Sequence, residues 1–557
     1  MKLVECVPNF SEGRDRGVID AIVAAIASAD GAHVLDVDPG RDTNRTVVTF
    51  VATADRVVEA AFRGIAKAAE LIDMSKHHGE HARMGATDVC PFVPLGTTTM
   101  DECVALAKTL GERVARELGI PVYLYEYAAT QEDRRSLPSI RAGEYEGLPE
   151  KLRDPHWKPD FGAAKMNARS GATVIGARKF LIAYNVNLNT RDKKKASDIA
   201  LAIREAGRKK KDEHGRVLRD QNGDFIFEPG TLKACKAVGW YIDEYQRAQV
   251  SINLTDFDVT PPHIAFEEVK RQAEMRGLRA TGSELVGLLP LDALTRAGRY
   301  YLELQNTSAG APEPQLVEIA IQSLGLRELG GFDPMQKIIE YQVAGDSPLA
   351  SATVRSFADL TSEGTAVPGG GSVSALCGAM GAALAAMVGN LTHGKKGYEG
   401  VSKAMSDAAV EAQAVKAELL RAVDDDSRAF DALMAANRMP KATHDEQAAR
   451  DGAIQAATLR AIEVPLSVIR ACNRAVPLVE RVARDGNKNS VSDAGVAALC
   501  LKAAAHGAYL NVLINMSGLK ERGAADRMLK EARGLFDQVG TAAARVTDGI
   551  EKSIPTG

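Results

Sequence analysis

The first third of the chain alternates short apolar runs with amphipathic segments, and this order predicts a compact α/β unit. Runs of about four to eight apolar residues are typical of strands, whereas apolar positions three and four apart are typical of helices. In chain order the pattern gives the strand KLVECVP, a helix over 14–28, the strands HVLDVD and RTVVTFVA, a helix over 55–73, the strand VCPFVPL, a helix over 101–118 and the strand VYLYEYA. The first six of these elements have the order β-α-β-β-α-β, which is that of a ferredoxin-like unit.

The same order recurs in the next third of the chain. It consists of the strand FLIAYNVNL, a helix over 194–206, the strands CKAVGWYI and QVSINLTDF, a helix over 263–276, and the strand ELVGLLP. The charged stretch 208–230 interrupts this order, and its DQNGD turn signal favours a small exposed hairpin. The pattern therefore predicts two tandem ferredoxin-like α/β subdomains, at 1–180 and 181–328, with 208–230 as an exposed insertion.

From about residue 330 the chain becomes alanine-rich and helical, without a clear strand. The pattern predicts a linker over 329–342 and a helical bundle domain over 343–557. No residue from 365 to 392 is charged, so this stretch is long enough to span a membrane. Its apolar residues are mostly alanine and glycine, and flanking tryptophan or tyrosine anchors are missing. These features favour a helix packed tightly against other helices, and we expect no membrane span.

Composition narrows the range of functions. The 73 acidic and 69 basic residues nearly balance, so no global charge favours a nucleic acid or a membrane surface as partner. The seven cysteines are scattered, odd in number and never spaced C-x-x-C, which argues against a disulfide framework and against zinc knuckles. The N-terminal residues run into polar sequence without the apolar core of a signal peptide. Together these features predict a cytoplasmic protein.

The segment HHGEHARMG, residues 77–85, carries a dense group of polar side chains. It lacks the H-E-x-x-H spacing of metal ligands, so a metal site is disfavoured. Solvated polar residues at a helix end are a second interpretation. A single histidine that acts as an acid and base near neutral pH is the third. Spacing alone does not choose among His77, His78 and His81.

Two motifs stand out in the alanine-rich half. In VPGGGSV, the glycines would allow a ligand to approach a helix start closely, although glycine-rich helix entries are common. In RAVDDDSRAF, Asp426 falls on an apolar helical stripe, whereas Asp424 is rotated away from it. A carboxylate on an apolar face costs free energy unless it is paired or used, which favours a function for Asp426. The stripe consists of Val415, Leu419, Val423, Phe430 and Leu433.

Longer motifs carry a resemblance to known enzymes. Six motifs of the first half together resemble glutamate formiminotransferase. They are VECVPNFSEGRD, NRTVVTF, LIDMSKHHGEHARMGATDVCPFVPL, IRAGEYEGLP, PDFG and GATVIGARKFLIAYNVNL. Three motifs of the alanine-rich half resemble formimidoyltetrahydrofolate cyclodeaminase. They are AVPGGGSVSALCGAMGAALAAMVGNLTHGKKGY, DGNKNSVSDAGVAA and GAYLNVLINM. In this order, the two halves resemble the bifunctional formimidoyltransferase-cyclodeaminase family, and the likeness covers nearly all of the chain except about 208–230.

The resemblance implies roles for particular residues. The transferase acid/base falls on His81, although Ala82 stands where proline is usual, and the cyclodeaminase aspartate falls on Asp426. The glycines of VPGGGSV become candidates for folate binding, and Lys395 at the far end of the same helix becomes a candidate for the glutamate tail of the folate. The residues implied in folate binding are Gly162, Ala163, Ala164, Lys165, Met166, Asn167, Ala168, Arg169, Ser170, Gly171, Gly369, Gly370, Gly371 and Lys395.

The implied chemistry also requires cations and a partner chain. Both substrates, formiminoglutamate and tetrahydrofolate, carry carboxylates, so Arg45, Arg83, Arg178 and Lys179 are candidates to bind them. Tetrahydrofolate would be a co-substrate, with its polyglutamylation left open, and no metal is expected. The resemblance further implies a homo-oligomer that forms through the helical domain. Two alternatives remain: a helical half that acts as a methenyltetrahydrofolate cyclohydrolase, and a non-enzymatic folate-binding scaffold.

Overall fold

The computed structural model describes residues 2–41, 43–79, 82–343 and 347–554. The chain divides into two compact units, one formed by 1–293 with 324–343 and the other by 294–323 with 344–557. The first unit is a mixed α/β structure and the second is mostly helical. The predicted change from α/β to helical structure is therefore confirmed, while the subdomain boundaries at 180 and 328 stay predictions.

The first α/β sheet contains seven strands. They are β1 (Lys2–Cys6), β2 (Asn9–Phe10), β3 (His33–Gly40), β4 (Arg45–Thr53), β5 (Thr87–Gly96), β6 (Val122–Glu126) and β7 (Thr173–Ala177). β3 pairs with β4, and β4 and β5 flank β1, all antiparallel. β7 adds parallel to β5, and β6 adds parallel to β7. The sequence pattern did not identify β7, whose residues were noticed only as part of a motif.

Helices cover both faces of this sheet. They are α1 (Arg16–Ala27), α2 (Val57–Leu71), α3 (Met100–Leu118), α4 (Leu137–Arg141) and α5 (Glu144–Lys151). The first three pack their apolar stripes onto one face, around a core that includes Ile22, Ile65 and Leu110. α4 and α5, which the pattern missed because they are short, bury Ile140 and Leu148 in a smaller core against Tyr123 and Val174. The candidate site residues of this half lie near that second core.

The second sheet is antiparallel, with the order β11-β12-β8-β13. Its elements are β8 (Ile182–Leu188), α6 (Lys193–Ile203), β9 (Arg208–Lys209), β10 (Phe227–Glu228), β11 (Cys235–Ile242), β12 (Arg247–Leu254), α7 (Pro262–Glu274) and β13 (Ala280–Val286). β13 begins four residues before the predicted run ELVGLLP, because the polar residues of ATGSELV pair with β8. β9 and β10 pair only with each other and form the base of the predicted excursion over 208–230.

Four helices that the pattern did not assign follow the second sheet. They are α8 (Leu291–Leu304), α9 (Glu313–Leu324), α10 (Pro334–Lys337) and α11 (Ile339–Val343). The remaining helices form the alanine-rich bundle: α12 (Val354–Ser362), α13 (Gly370–Thr392), α14 (Ser402–Asn437), α15 (His444–Asp485), α16 (Val491–Asn515) and α17 (Arg522–Ser553).

Small residues let the helices of the bundle approach closely. Gly389 of α13 faces the backbone of α14, where an added methyl group would lie 2.7 Å from the carbonyl oxygen of Met405. Gly381 faces α16, where a methyl group would lie 2.9 Å from the Ala497 carbonyl oxygen. The predicted tight packing of this helix is therefore confirmed. Among the described residues, three helical stretches are long and apolar enough to cross a membrane by length and composition: Gly370–Thr392, His444–Asp485 and Lys488–Gly518.

The excursion over 208–230 is expected to be dispensable for folding. Its side chains are mostly exposed, and Phe227 pairs with Lys209 at the base, so the ends of the tip are already close together. Replacing 210–226 with an Asn-Gly turn should give a soluble protein with a melting temperature within about 2 °C of the parent. An insoluble product would show that the hairpin contributes to the core.

Candidate functional site

His77 is a buried structural residue at the start of residues 77–85, called here the histidine segment. Its side chain is 8% exposed. Its Nε2 lies 2.9 Å from the backbone oxygen of Asn44, and the Nε of Arg83 donates to its Nδ1 at 3.3 Å. Burial lowers the pKa of His77, which favours the neutral ring that these two contacts require. Both ring nitrogens are thus engaged, whereas His78 is exposed and His81 lies outside the described residues.

Asn44 ties the histidine segment to the rest of the site. Its side chain accepts from the Gly13 amide at 3.0 Å and donates to the His78 carbonyl at 3.0 Å. Its backbone is left-handed, with φ of 49°, a conformation that asparagine tolerates better than most residues. Gly79 packs so closely on the backbone of Thr43 that a methyl group there would overlap the Thr43 carbonyl oxygen. The segment leading to Glu80 and His81 is therefore anchored at its start.

The stretch from Gly162 to Gly171 runs along the surface and ends beside the histidine segment. Its first half, including Lys165, is exposed, whereas Ser170 is buried. Ala86 donates to the Ser170 carbonyl at 2.9 Å, and Ala172 donates to that of Met84 at 3.1 Å. Two segments about 85 residues apart are thus joined by backbone hydrogen bonds.

Two glycines make this junction possible. A methyl group on Gly171, whose φ is 67°, would overlap the Met84 carbonyl oxygen. A methyl group on Gly85 would overlap the carbonyl oxygens of Ser170 and Ala172. Further along the stretch, the carbonyl of Arg169 accepts from the Met74 amide at 2.8 Å, which holds the stretch against the start of the histidine segment.

Of the four predicted substrate-binding cations, two form ion pairs with acidic side chains. Arg83 donates to Glu144 at 3.0 Å and to Glu146 at 2.7 Å, and the hydrogen bond to Glu146 raises its pKa. Lys179 lies 2.9 Å from a carboxylate oxygen of Asp258, which raises its pKa. Arg83 thereby fixes the start of α5 to the histidine segment.

The other two predicted cations, Arg178 and Arg45, interact electrostatically with buried side chains. Arg178 acts electrostatically on Glu5, which is 4% exposed, and on the buried Tyr125. Burial raises the pKa of Glu5 to about 7, and Arg178 opposes that shift. Sequence reasoning missed Glu5, although a lone acid within the apolar run KLVECVP was a signal. Arg45 begins β4, and Asp88 and Arg141 lie in its electrostatic neighbourhood.

In the helical unit, Asp426 lies against the start of α13. A methyl group on Gly371 would overlap the Asp426 carboxylate, so this glycine leaves the space that the carboxylate occupies. The Ser372 hydroxyl lies 3.2 Å from Oδ2 of Asp426 and 3.2 Å from the hydroxyl of Ser427, and 2.8 Å from the Val423 carbonyl. Burial raises the pKa of Asp426, and hydrogen bonds from Ser372 partly offset the rise. Gly369 and Gly370 precede this contact at the helix start.

Asp424, predicted to lie off the apolar stripe, is buried on another face of α14. Asp424 is 3% exposed, whereas Asp426 is only partly buried. The carboxylate of Asp424 accepts from the amides of Leu349 at 3.0 Å and Ala350 at 3.1 Å. A second buried face of α14, covered by the segment before α12, was invisible in the stripe pattern. Asp424 therefore has a structural partner and Asp426 is the more accessible of the two.

Lys395 lies at the opposite end of α13 from Gly369–Gly371. The helix has 23 residues and is therefore about 35 Å long. The Nζ of Lys395 donates to Asn487 at 2.9 Å, in the turn before α16. Lys395 and Asp426 therefore lie near opposite ends of α13.

Comparison with known proteins assigns the chain to a family. Residues 3–178 match the N-terminal subdomain of the formiminotransferase domain, 183–344 match the formiminotransferase domain, and 353–534 match the formiminotransferase-cyclodeaminase model. The formimidoyltransferase-cyclodeaminase of Rattus norvegicus is 44% identical over 553 residues, which is 99% of each chain. The chain belongs to the formimidoyltransferase-cyclodeaminase family.

Two relatives of this family match one half each. The glutamate formimidoyltransferase of Streptococcus pyogenes is 43% identical over 305 residues, covering 55% of this chain and 95% of its own. The methenyltetrahydrofolate cyclohydrolase of Methylorubrum extorquens is 40% identical over 202 residues, covering 36% of this chain and 97% of its own. The two candidate sites, around His77–Gly171 and around Asp426, therefore lie in regions that each resemble a separate enzyme.

Proposed function

We propose that the chain catalyses two consecutive reactions on tetrahydrofolate. The first transfers the formimino group from N-formimino-L-glutamate to N5 of tetrahydrofolate and releases glutamate. The second closes 5-formiminotetrahydrofolate to 5,10-methenyltetrahydrofolate and releases ammonia. The observation that carries this function is the likeness to bifunctional enzymes over 99% of the chain.

The assay that tests the function supplies purified protein with formiminoglutamate and tetrahydrofolate. Methenyltetrahydrofolate absorbance and free ammonia should rise together, since the second reaction yields both. A cyclohydrolase, the activity named for the similar Methylorubrum protein, would instead consume added methenyltetrahydrofolate without forming ammonia. If neither product appeared, only the folate-binding scaffold would remain.

The first reaction needs a proton to leave N5 and another to reach the departing nitrogen of glutamate. An imidazole can carry both, and we assign this role to His81. The stretch Gly162–Gly171 would hold the folate, which is consistent with its surface position and its junction with the histidine segment. Arg178 and Arg45 would attract the carboxylates of the substrates. Arg83 is assigned to loop anchoring, since two glutamates already occupy its guanidinium.

The junction between the two segments gives a testable requirement. Gly171→Ala should lower the melting temperature and reduce formimino transfer by about tenfold, because the methyl group would push the Met84 backbone out of place. Gly147→Ala in α5 is the matched control, since no atom lies within 4 Å of the added methyl group. Equal behaviour of the two variants would contradict a strict need for this close approach.

The second reaction needs a group that moves a proton between N10 and the departing amidine nitrogen. We assign this role to Asp426, whose raised pKa suits a carboxyl group that alternates between protonated and ionised forms. Gly369, Gly370 and Gly371 would allow the folate to approach this carboxylate closely. The neighbouring hydroxyls of Ser372 and Ser427 keep the carboxylate oriented.

Several broader features are also part of the proposal. We infer that both sheets are built on ferredoxin-like units, because in each the second, third, first and fourth strands of the repeat lie in that order.

We infer a cytoplasmic homo-oligomer that needs no metal. Exposed apolar side chains on α13 and α16 would favour contact with a second copy; they include Met380, Leu391, Leu499, Leu510 and Ile514.

A further inference from the structure

Arg141, at the end of α4, shares a buried carboxylate with Arg45. One Nη atom of Arg141 donates to Asp88, and the side chain of Asp88 is fully buried. The other carboxylate oxygen of Asp88 accepts from the Met84 amide at 3.0 Å. Arg45 lies close enough for Asp88 to raise its pKa and for Arg141 to lower it, although burial is the largest influence and lowers it. Two guanidinium groups therefore face one buried acid.

This cluster has unused hydrogen-bond donors. In the part of the chain that the structure describes, the buried Nε atoms of Arg45 and of Arg141 have no hydrogen-bond partner. A buried N–H without a partner destabilises the folded state, so its presence calls for an explanation such as a bound ligand. The other acid that acts on Arg45, Asp38, has an exposed side chain. The buried part of the cluster thus has one positive charge more than it has acids.

The position and the charge of the cluster point to a carboxylate as its ligand. The Met84 amide donates to Asp88. The Met84 carbonyl accepts a hydrogen bond from the amide of Ala172, which follows directly after the candidate folate-binding residues 162–171. A single hydrogen bond, from the Met84 amide to Asp88, therefore connects the cluster to the junction of residues 77–85 with residues 162–171. A carboxylate accepts strong hydrogen bonds from guanidinium groups and would balance this charge.

We propose that Arg45 and Arg141 form a carboxylate subsite that selects the amino-acid substrate of the transferase. This assignment rests on the proposed function and separates the cations that the sequence could not distinguish. Arg141 was not a sequence candidate. The ion pair with Asp88 orients Arg141, and the net positive charge of the cluster remains for the substrate.

Arg45→Gln tests the subsite with little risk to folding, because within the described ranges no group hydrogen-bonds to the Arg45 side chain and would be left unpaired by the change. The KM for formiminoglutamate should rise by about 10- to 100-fold, while the KM for tetrahydrofolate and kcat change by less than about threefold. Binding of the product glutamate, measured by calorimetry without any turnover, should weaken by a similar factor. Arg113→Gln, at an ion pair with Glu59 on the helical face of the sheet, is the matched control and should leave both KM values unchanged.

Arg141 is tested together with its acid. The double variant Arg141→Gln with Asp88→Asn removes both members of this ion pair, so neither partner is left as a buried charge without the other. It should show the same selective rise in KM for formiminoglutamate. An unchanged KM in a folded double variant would overturn the role of Arg141, and a parallel rise of both KM values in Arg45→Gln would overturn the subsite. If the parent bound glutamate in an Arg45-dependent way but transferred no formimino group, the proposed function would fail and the subsite would stand.

Discussion

Replacing His81 with alanine is expected to reduce formimino transfer by about a hundredfold or more, the usual effect of losing a general acid/base. Cyclisation of supplied 5-formiminotetrahydrofolate should continue at the parental rate, because Asp426 belongs to the other compact unit. The two reactions are followed separately, the first by glutamate release and the second by ammonia release. A joint loss of both activities in a folded variant would contradict independent chemistry in the two halves.

The neighbouring histidines provide the controls for this experiment. His77→Ala should destabilise the α/β unit, because it leaves the Asn44 carbonyl and the Nε of Arg83 without the hydrogen bonds that they make to the His77 ring. His78→Ala should have little effect, since that side chain is exposed. If His78→Ala abolished transfer while His81→Ala did not, the catalytic role would have to move to His78.

The pKa of His77 adds a pH dependence to the stability of this region. Burial lowers the pKa in the folded state, so the unfolded chain binds a proton more readily. The stabilising contribution of His77 is therefore present above the unfolded pKa of about 6.5 and is lost as the pH falls below it.

The fold was predictable where apolar periodicity was long and unbroken. KLVECVP and RTVVTFVA became β1 and β4, and the uncharged stretch after residue 365 became α13. The pattern failed for short elements: α4 has five residues and contains a proline, and the β7 strand TVIGA is too short to stand out. Those elements are held by tertiary contacts, of Ile140 and Val174 with residues distant in sequence, which periodicity does not report.

The candidate sites were predictable in part, for a similar reason. The glycines near Asp426 and the histidine segment are local motifs, and the sequence displays them directly. The pairing of Arg141 with Asp88 joins residues 53 positions apart, and no spacing rule links them. Asp424 shows the same limit, since its partners Leu349 and Ala350 are 75 and 74 positions away. A helical stripe reports one buried face and gives no information about a second.

Asp426→Asn is expected to stop the second reaction while the first continues. The amide keeps the shape of the carboxylate. Its oxygen can still accept a hydrogen bond from the Ser372 amide N–H, and its NH₂ group can donate one to the Ser372 hydroxyl, so the start of α13 should stay intact. It can no longer take up a proton. Cyclisation should therefore fall by about a hundredfold or more, and 5-formiminotetrahydrofolate should accumulate as glutamate is released.

The stability of this variant should move in the opposite direction to its activity. The pKa of Asp426 is raised on folding, so folding is more favourable below the unfolded pKa of about 3.9 and loses that contribution as the pH rises through the folded pKa. At neutral pH the ionised carboxylate is thus a cost to the folded state, and the uncharged asparagine removes it. The melting temperature of Asp426→Asn should equal or exceed that of the parent.

Asp424→Asn separates the catalytic assignment from a merely structural one. Both oxygens of Asp424 accept backbone amides, and an asparagine would direct its own NH₂ group at either Leu349 or Ala350. A loss of about 1–3 kcal/mol of stability should follow, with cyclisation per folded molecule close to the parental value. The two variants are compared by thermal unfolding and by ammonia release from supplied 5-formiminotetrahydrofolate. If Asp426→Asn were the unstable variant and Asp424→Asn the inactive one, the carboxylate that moves the proton would be Asp424.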